Sequence, residues 1–159
     1  MNKSLAICAC LLAGACTSMD VDPLTNGVAT VTHNNGGNTL EFKEYADRMI
    51  ANNARLRIDG YCASACTILA EIVHNSTGNV CLTENAVMAY HYTKKTIYWK
   101  NAETGEEFEF MTTYEIDENY REAIVDLVNV NGGWRKHSEP IVEISEKVLV
   151  ENKLFDWCI

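Results

Sequence analysis

The sequence predicts an α/β protein: βαβ units forming a mainly parallel sheet, with flanking helices and an added hairpin. Short β-rich runs alternate with segments of helical periodicity between residues 28 and 90. Strand, helix and strand in this order favour right-handed crossovers onto one sheet. The predicted strands cover residues 28–32, 56–58, 80–82 and 87–90, and the predicted helices cover residues 40–52 and 65–73.

The second half of the chain departs from this alternation. Residues 97–100 and 108–110 predict two strands around a turn at Glu103-Thr104-Gly105. Residues 113–130 predict a helix that ends at the Asn131-Gly132-Gly133 stop signal. Ser138 and Pro140 suit the start of a last helix through Val148, before a short apolar tail. We therefore predict one domain over residues 28–159.

Composition limits the classes of partner. The 159 residues are 47% hydrophobic and carry a formal net charge of −9. An acidic surface argues against nucleic acid, where Lys and Arg supply most of the affinity, and against a polybasic binder of membrane surfaces. We also predict no cofactor and no metal.

The N-terminus has the pattern of an export signal. Met1-Asn2-Lys3 is followed by an apolar stretch over residues 5–15, which predicts a signal peptide of residues 1–15. The small residues before Cys16 resemble the lipobox of bacterial lipoproteins, in which Cys16 would be acylated. Ordinary cleavage after Ala13-Gly14-Ala15 is the alternative. Residues 16–27 would be a tether, and the protein is expected in the periplasm or cell envelope, anchored to the membrane by lipid.

Four cysteines follow the predicted leader and lipidation site: Cys62, Cys66, Cys81 and Cys158. An even number in an oxidising compartment favours disulfides, and four cysteines allow three pairings. Cys62 and Cys66 with nearby histidines could imitate a zinc site, but the sequence has no second close pair. Disulfides are the favoured interpretation.

The segment from Gly60 to Ala65 is the most informative for function. Its serine, Ser64, stands between a predicted strand and an apolar helix. Backbone N–H groups at a helix start are unpaired and the helix dipole favours negative charge, which suits a nucleophilic oxygen or a developing oxyanion. The alternative is that Ser64 only caps the helix, since serine is a preferred N-cap residue.

Three motifs between residues 28 and 93 resemble the Clp-protease family. Gly60 and Ser64 form its Gly-x-x-x-Ser turn, and His91 follows 27 residues later at the end of a strand. Gly36-Gly37 stands where the family has a Gly-Gly turn, although the proline usual before those glycines is absent. The Cys-x-Ser-Ala-Cys-Thr segment that begins at Cys62 is closest to exported relatives of this family.

The resemblance implies a ClpP/crotonase-like fold and a set of site residues. Ser64 would be the nucleophile and His91 its general base, with the N–H groups of Gly37 (or Gly36) and Ala65 as the oxyanion hole. The family's aspartate is missing from residues 134–140. The candidates for the third member are Glu139, which could instead complement a helix dipole, and Asp126 as a weaker choice; a dyad without an acid is also open.

The resemblance also implies the function. We expect a serine peptidase or related acyl hydrolase that acts outside the cytoplasm on a peptide or acyl substrate, through an acyl-Ser64 intermediate. Family members often form rings, so a homo-oligomer is a candidate assembly. The alternative is a non-catalytic envelope lipoprotein that keeps the fold as a binding module. The first choice of disulfide pairing is Cys66–Cys81, which would tie the nucleophile helix to the base-bearing strand, with Cys62–Cys158 remaining.

Overall fold

The computed structural model describes residues 27–136 and 139–159, apart from the side chain of Phe110. In that part of the chain it has four helices, one six-stranded sheet and one two-stranded hairpin, so the α/β class is confirmed. The predicted leader of residues 1–15, Cys16 and the tether up to residue 26 lie outside the described residues. The strands are β1 Val28–Asn34, β2 Arg55–Ala63, β3 Val80–Leu82, β4 Val87–Tyr90, β5 Thr93–Lys100, β6 Glu107–Glu115, β7 Val142–Ser145 and β8 Asp156–Trp157. The helices are α1 Thr39–Ala51, α2 Ala65–Thr77, α3 Glu122–Val130 and α4 Glu146–Glu151.

Strand β2 is the centre of the curled main sheet. It pairs in parallel with β1 along one side, and with β3 and then β4 along the other. Strand β8 extends the sheet in parallel beyond β3, whereas β7 is antiparallel to β4, so the sheet is mixed. The predicted β1-α1-β2 and β2-α2-β3 crossovers are present. The ClpP/crotonase-like type of this fold stays a prediction.

The core lies where α1 and α2 pack on the sheet and on each other. Phe42 and Met49 of α1, and Ile68 and Leu69 of α2, are at most 2% exposed. They join fully buried strand residues such as Leu56 in one apolar cluster. Burying a side chain of this size stabilises the fold by about 1.5–3 kcal/mol. This packing fixes the start of α2 against the end of β2.

Two predicted helices are confirmed only in part: the helix over residues 113–130 from Glu122 to Val130, and the last helix from Glu146. Residues 113–115 belong to β6, because Thr113 and Glu115 pair with β5, and α3 starts only at Glu122. Asp117 accepts a hydrogen bond from the Asn119 N–H at 3.0 Å, which makes a turn between β6 and α3. The predicted last helix is instead strand β7 followed by the short α4, because buried Val142 and Ile144 alternate with exposed residues.

A bulge bends the middle of β2. Between the pairs Val31–Ile58 and His33–Tyr61, two residues of β2 lie opposite one residue of β1, Thr32. One of the two is Gly60, where a Cβ would overlap the Thr32 carbonyl oxygen. A bulge increases local twist and redirects the strand beyond it. The bulge therefore sets the direction of the end of β2, which leads to Ser64.

The disulfide pairing differs from the predicted one. Cys62 is joined to Cys66 and Cys81 to Cys158, so the Cys66–Cys81 and Cys62–Cys158 pairing was wrong. Cys62 and Cys66 flank the turn from β2 into α2, with Cα atoms 5.4 Å apart. The unpredicted strand β8 pairs with β3 and brings Cys158 within 4.8 Å of Cys81 between Cα atoms.

The two disulfides indicate an oxidising environment, and therefore an exported protein. No helix in the described part of the chain is long and apolar enough to span the membrane.

Candidate functional site

Ser64 occupies a strained turn between β2 and α2. Its φ of 56° and ψ of −122° lie in a region that residues other than glycine rarely adopt. The Ser64 N–H donates to the Ala89 carbonyl of β4 at 3.0 Å, and its carbonyl accepts from the Thr67 N–H at 2.9 Å. Ser64 is the N-cap residue of α2, but its side chain makes no capping hydrogen bond, so the position is confirmed and the side-chain cap is not. Strain of this kind clusters at functional sites.

Ser64 and His91 line the same pocket. The pocket has a volume of about 310 Å³ and lies between the glycine turn after β1, the start of α2 and the base of the hairpin. His91 follows β4 directly and is 8% exposed. The pocket is lined by Asn35, Gly36, Gly37, Thr39, Ser64, His91, Thr93 and Lys94. The structure thus brings together the serine, the histidine and the Gly-Gly turn that the sequence had singled out.

A backbone carbonyl orients the His91 ring. His91 Nδ1 lies 2.6 Å from the Tyr92 carbonyl oxygen. Because a carbonyl only accepts, Nδ1 carries the proton in the neutral ring and Nε2 carries the lone pair. The backbone of Tyr92 is itself restrained, since its N–H donates to the Arg135 carbonyl at 2.8 Å. A general base acting through Nε2 needs this tautomer.

The Gly-Gly turn packs directly on the serine turn. Asn34 Oδ1 accepts the Gly36 N–H at 2.8 Å, so that N–H is already engaged. Of the two glycines named as oxyanion donors, Gly37 is therefore favoured over Gly36. Gly36 has a φ of +82°, and a Cβ on it would lie 2.5 Å from Ser64 Cβ and 2.9 Å from the Ala65 nitrogen. Only glycine fits at this approach.

The Gly36→Ala substitution is expected to distort the turn at Ser64, because the new methyl group would overlap Ser64 Cβ. We expect labelling of Ser64 by a fluorophosphonate probe to slow at least tenfold in the folded variant. Gly105→Ala is the matched control, since Gly105 has a similar φ of +73° with nothing within 4 Å of a Cβ. Equal labelling of the two variants would contradict the role of Gly36.

The two acidic candidates differ in position. Glu139 and His91 line a second, smaller pocket of about 190 Å³. Glu139 Oε2 accepts the Lys136 N–H at 3.3 Å, and the role of Glu139 as third member stays a prediction. Asp126 lies on α3 and lines a different pocket, together with Leu127 and Leu154. Asp126 therefore does not join the site.

Three further histidine and aromatic side chains are dispersed over the described part of the chain. His33 is exposed and stacks on Tyr61, with ring centroids 5.5 Å apart. Tyr90 is fully buried and meets Trp134 edge-on, with ring centroids 6.3 Å apart. Trp99 is 57% exposed on the hairpin. Tyr90 and Trp134 thus belong to the core, whereas Trp99 belongs to the hairpin surface.

Sequence reasoning missed two groups that position the residues of the pocket. The Tyr92 carbonyl left no signal, because every residue carries the same backbone acceptor. Asn34 was recognisable as a turn residue, and its side chain bonds to the backbone two residues ahead as such residues often do.

The described residues contain no group of three or more His, Cys, Asp or Glu side chains suited to a metal ion. The cysteines once considered for zinc are bonded to each other.

Compared with protein-family models, with curated proteins and with solved structures, the chain matches none of them.

Proposed function

We propose that this protein is an extracytoplasmic serine hydrolase of the Clp-protease-like type, a peptidase or related acyl hydrolase. The observation that carries the proposal is the strained turn at Ser64, which faces one pocket together with His91. Strained turns between a strand and a helix expose nucleophilic serines in other hydrolases. The parallel crossovers around β2 are compatible with a ClpP/crotonase-like core.

In the proposed reaction, Ser64 Oγ attacks the substrate carbonyl carbon while its proton passes to His91 Nε2. The N–H groups of Gly37 and Ala65 would stabilise the oxyanion, and Ala65 is the first residue of α2, where N–H groups lack helical partners. The leaving amine or alcohol takes the proton from His91 as its bond to the carbonyl carbon breaks. Water, activated in turn by His91, then hydrolyses the acyl-Ser64 ester.

The Tyr92 carbonyl supports a mechanism without an aspartate. It holds the Nδ1–H of His91, which is the orienting part of the role that an acid plays in a triad. It carries no full charge, so it stabilises the imidazolium less than a carboxylate would. We therefore propose a dyad, which would be slower than a full triad.

The disulfides agree with a site of action outside the cytoplasm. Acylation of Cys16, anchoring to the membrane and residence in the periplasm belong to the same proposal. The proposal also includes assembly of the protein into a homo-oligomer.

A binding module is the second candidate function, and the hairpin favours it. Ile97, Trp99, Phe108 and Met111 share one face of the two paired strands. Each of them is at least 42% exposed. Contiguous exposed apolar surface of this kind often marks an interaction site. In this alternative the protein is a non-catalytic envelope lipoprotein.

The test is covalent labelling of the folded mature domain, disulfides intact, with a fluorophosphonate probe. We expect one label per molecule on Ser64, no labelling of Ser64→Ala, and at least a hundredfold slower labelling of His91→Ala, in line with the usual contribution of a general base of about 10²–10⁴. Ser76→Ala is the control, because Ser76 lies on α2 away from the pocket.

Labelling that requires both Ser64 and His91 supports the hydrolase. A folded domain that is not labelled, or is labelled equally after His91→Ala, contradicts it and favours the binding module.

A further inference from the structure

We infer that the Cys62–Cys66 disulfide positions Ser64, and that the reactivity of Ser64 depends on this bond. The inference rests on the proposed function, because it concerns the same serine. The disulfide is a positioning element in this account and does not touch the substrate.

The disulfide encloses the nucleophile. Cys62 is the penultimate residue of β2 and Cys66 the second residue of α2, so the bond closes a ring around Ala63, Ser64 and Ala65. Both cysteines are fully buried. Ser64 is the described residue of this turn with an unfavourable backbone conformation, and the short ring constrains it.

The bond excludes the simplest relaxation of the turn. If Ser64 and Ala65 both continued the strand, the two Cα atoms, four residues apart, would separate to about 13 Å. They lie 5.4 Å apart, and a disulfide tolerates no more than about 7 Å. Ser64 is also held by backbone hydrogen bonds to Ala89, Thr67 and Ile68, and by the Thr67 hydroxyl, which donates to the Ser64 carbonyl at 2.6 Å. Loss of the disulfide thus makes a relaxed turn accessible.

The second disulfide supplies a matched control. Cys81–Cys158 joins residues 77 apart in sequence and ties β8 to β3. Loop-closure entropy grows with the length of the closed loop, so this bond should contribute more to stability than the five-residue ring does. Neither Cys81 nor Cys158 lines the pocket of Ser64. We therefore expect the Cys81–Cys158 bond to contribute more to stability, and the Cys62–Cys66 bond to contribute more to the reactivity of Ser64.

The experiment compares Cys62→Ala/Cys66→Ala with Cys81→Ser/Cys158→Ser in the mature domain. For each we would measure the second-order rate of fluorophosphonate labelling, well below the melting temperature, and the melting temperature itself. We expect labelling of Cys62→Ala/Cys66→Ala to slow at least tenfold. Its melting temperature should fall less than that of Cys81→Ser/Cys158→Ser. The Cys81→Ser/Cys158→Ser variant should melt lower and label at the wild-type rate. Wild-type labelling of a folded Cys62→Ala/Cys66→Ala variant would overturn the inference.

A second measurement tests the inference if Cys62→Ala/Cys66→Ala does not fold. In Cys81→Ser/Cys158→Ser, dithiothreitol would reduce the Cys62–Cys66 bond to two thiols, with transfer of two electrons and two protons, and would itself close to a cyclic disulfide. Labelling that is lost on reduction and regained on reoxidation supports the inference, and labelling indifferent to reduction overturns it.

Hydrogen exchange separates this inference from the proposed function. The Ser64 N–H is bonded to the Ala89 carbonyl, so its exchange reports the turn without any chemistry at the serine. If the wild-type protein is not labelled, the hydrolase proposal fails. The positioning role still stands if Ser64 exchanges at least tenfold faster in Cys62→Ala/Cys66→Ala than in Cys81→Ser/Cys158→Ser, and fails if the rates are equal.

Discussion

Replacing Arg121 with alanine is expected to lower the free energy of unfolding by about 3–5 kcal/mol, because it leaves a buried carboxylate without its partner. The Glu71 side chain is fully buried on α2 and accepts from Arg121 Nε at 2.8 Å and from Nη2 at 3.1 Å. The same guanidinium donates to the Leu154 carbonyl at 2.8 Å. The substitution thus loosens α2, the start of α3 and the C-terminal segment together. Urea unfolding at pH 7 with disulfides intact measures the loss.

Two controls make this prediction specific. Lys147→Ala removes an ion pair with Glu151 whose side chains are 71% and 65% exposed, and should change the free energy of unfolding by no more than about 0.5 kcal/mol. A Glu71→Leu/Arg121→Met double variant should regain most of the loss, because it removes both charges and keeps apolar volume. Similar losses in free energy of unfolding for Arg121→Ala and Lys147→Ala would show that the buried pair stabilises the fold no more than the exposed pair does.

Gly60→Ala is expected to cost about 3 kcal/mol or more, because its methyl group has no space in the bulge between β1 and β2. The Cβ would overlap the Thr32 carbonyl oxygen and lie 2.8 Å from the carbonyl carbon. These are backbone atoms and cannot rotate away. The strands must separate just before the turn at Ser64, so the molecules that remain folded should also label more slowly. Thermal unfolding and probe labelling measure the two effects.

Gly78→Ala is the control for a glycine-to-alanine change that creates no steric overlap. Gly78 ends α2 with a φ of +71° and has nothing within 4 Å of a Cβ, so its replacement should cost only about 1–2 kcal/mol of backbone strain. Adding Thr32→Ala to Gly60→Ala should give no rescue, since the overlap is with the Thr32 carbonyl. A rescue would contradict the assigned cause.

Local patterns in the sequence were sufficient for the elements around Ser64. Helix α1 follows from its apolar periodicity, and α2 from an apolar run that ends at Gly78. Strands β3 and β4 were predicted with their observed bounds. These features depend on neighbours within a few residues, so the sequence carries them directly. The grouping of Ser64, His91 and the Gly-Gly turn follows from the order of the βαβ units.

The remaining features depend on contacts between distant residues. Strand β7 forms because Val142 and Ile144 reach β4, and β6 extends to Glu115 because Thr93 lies opposite. The disulfide pairing depends on β8, a two-residue strand with no signal of its own.

By itself, the sequence determined an α/β chain with a serine at the start of an apolar helix and four cysteines suited to an oxidising compartment. Only the tertiary structure decided which cysteines pair, which carbonyl holds His91 and how closely Gly36 approaches Ser64. Periodicity reports which face of an element is buried, whereas these three outcomes depend on distances between segments that meet only in the folded chain.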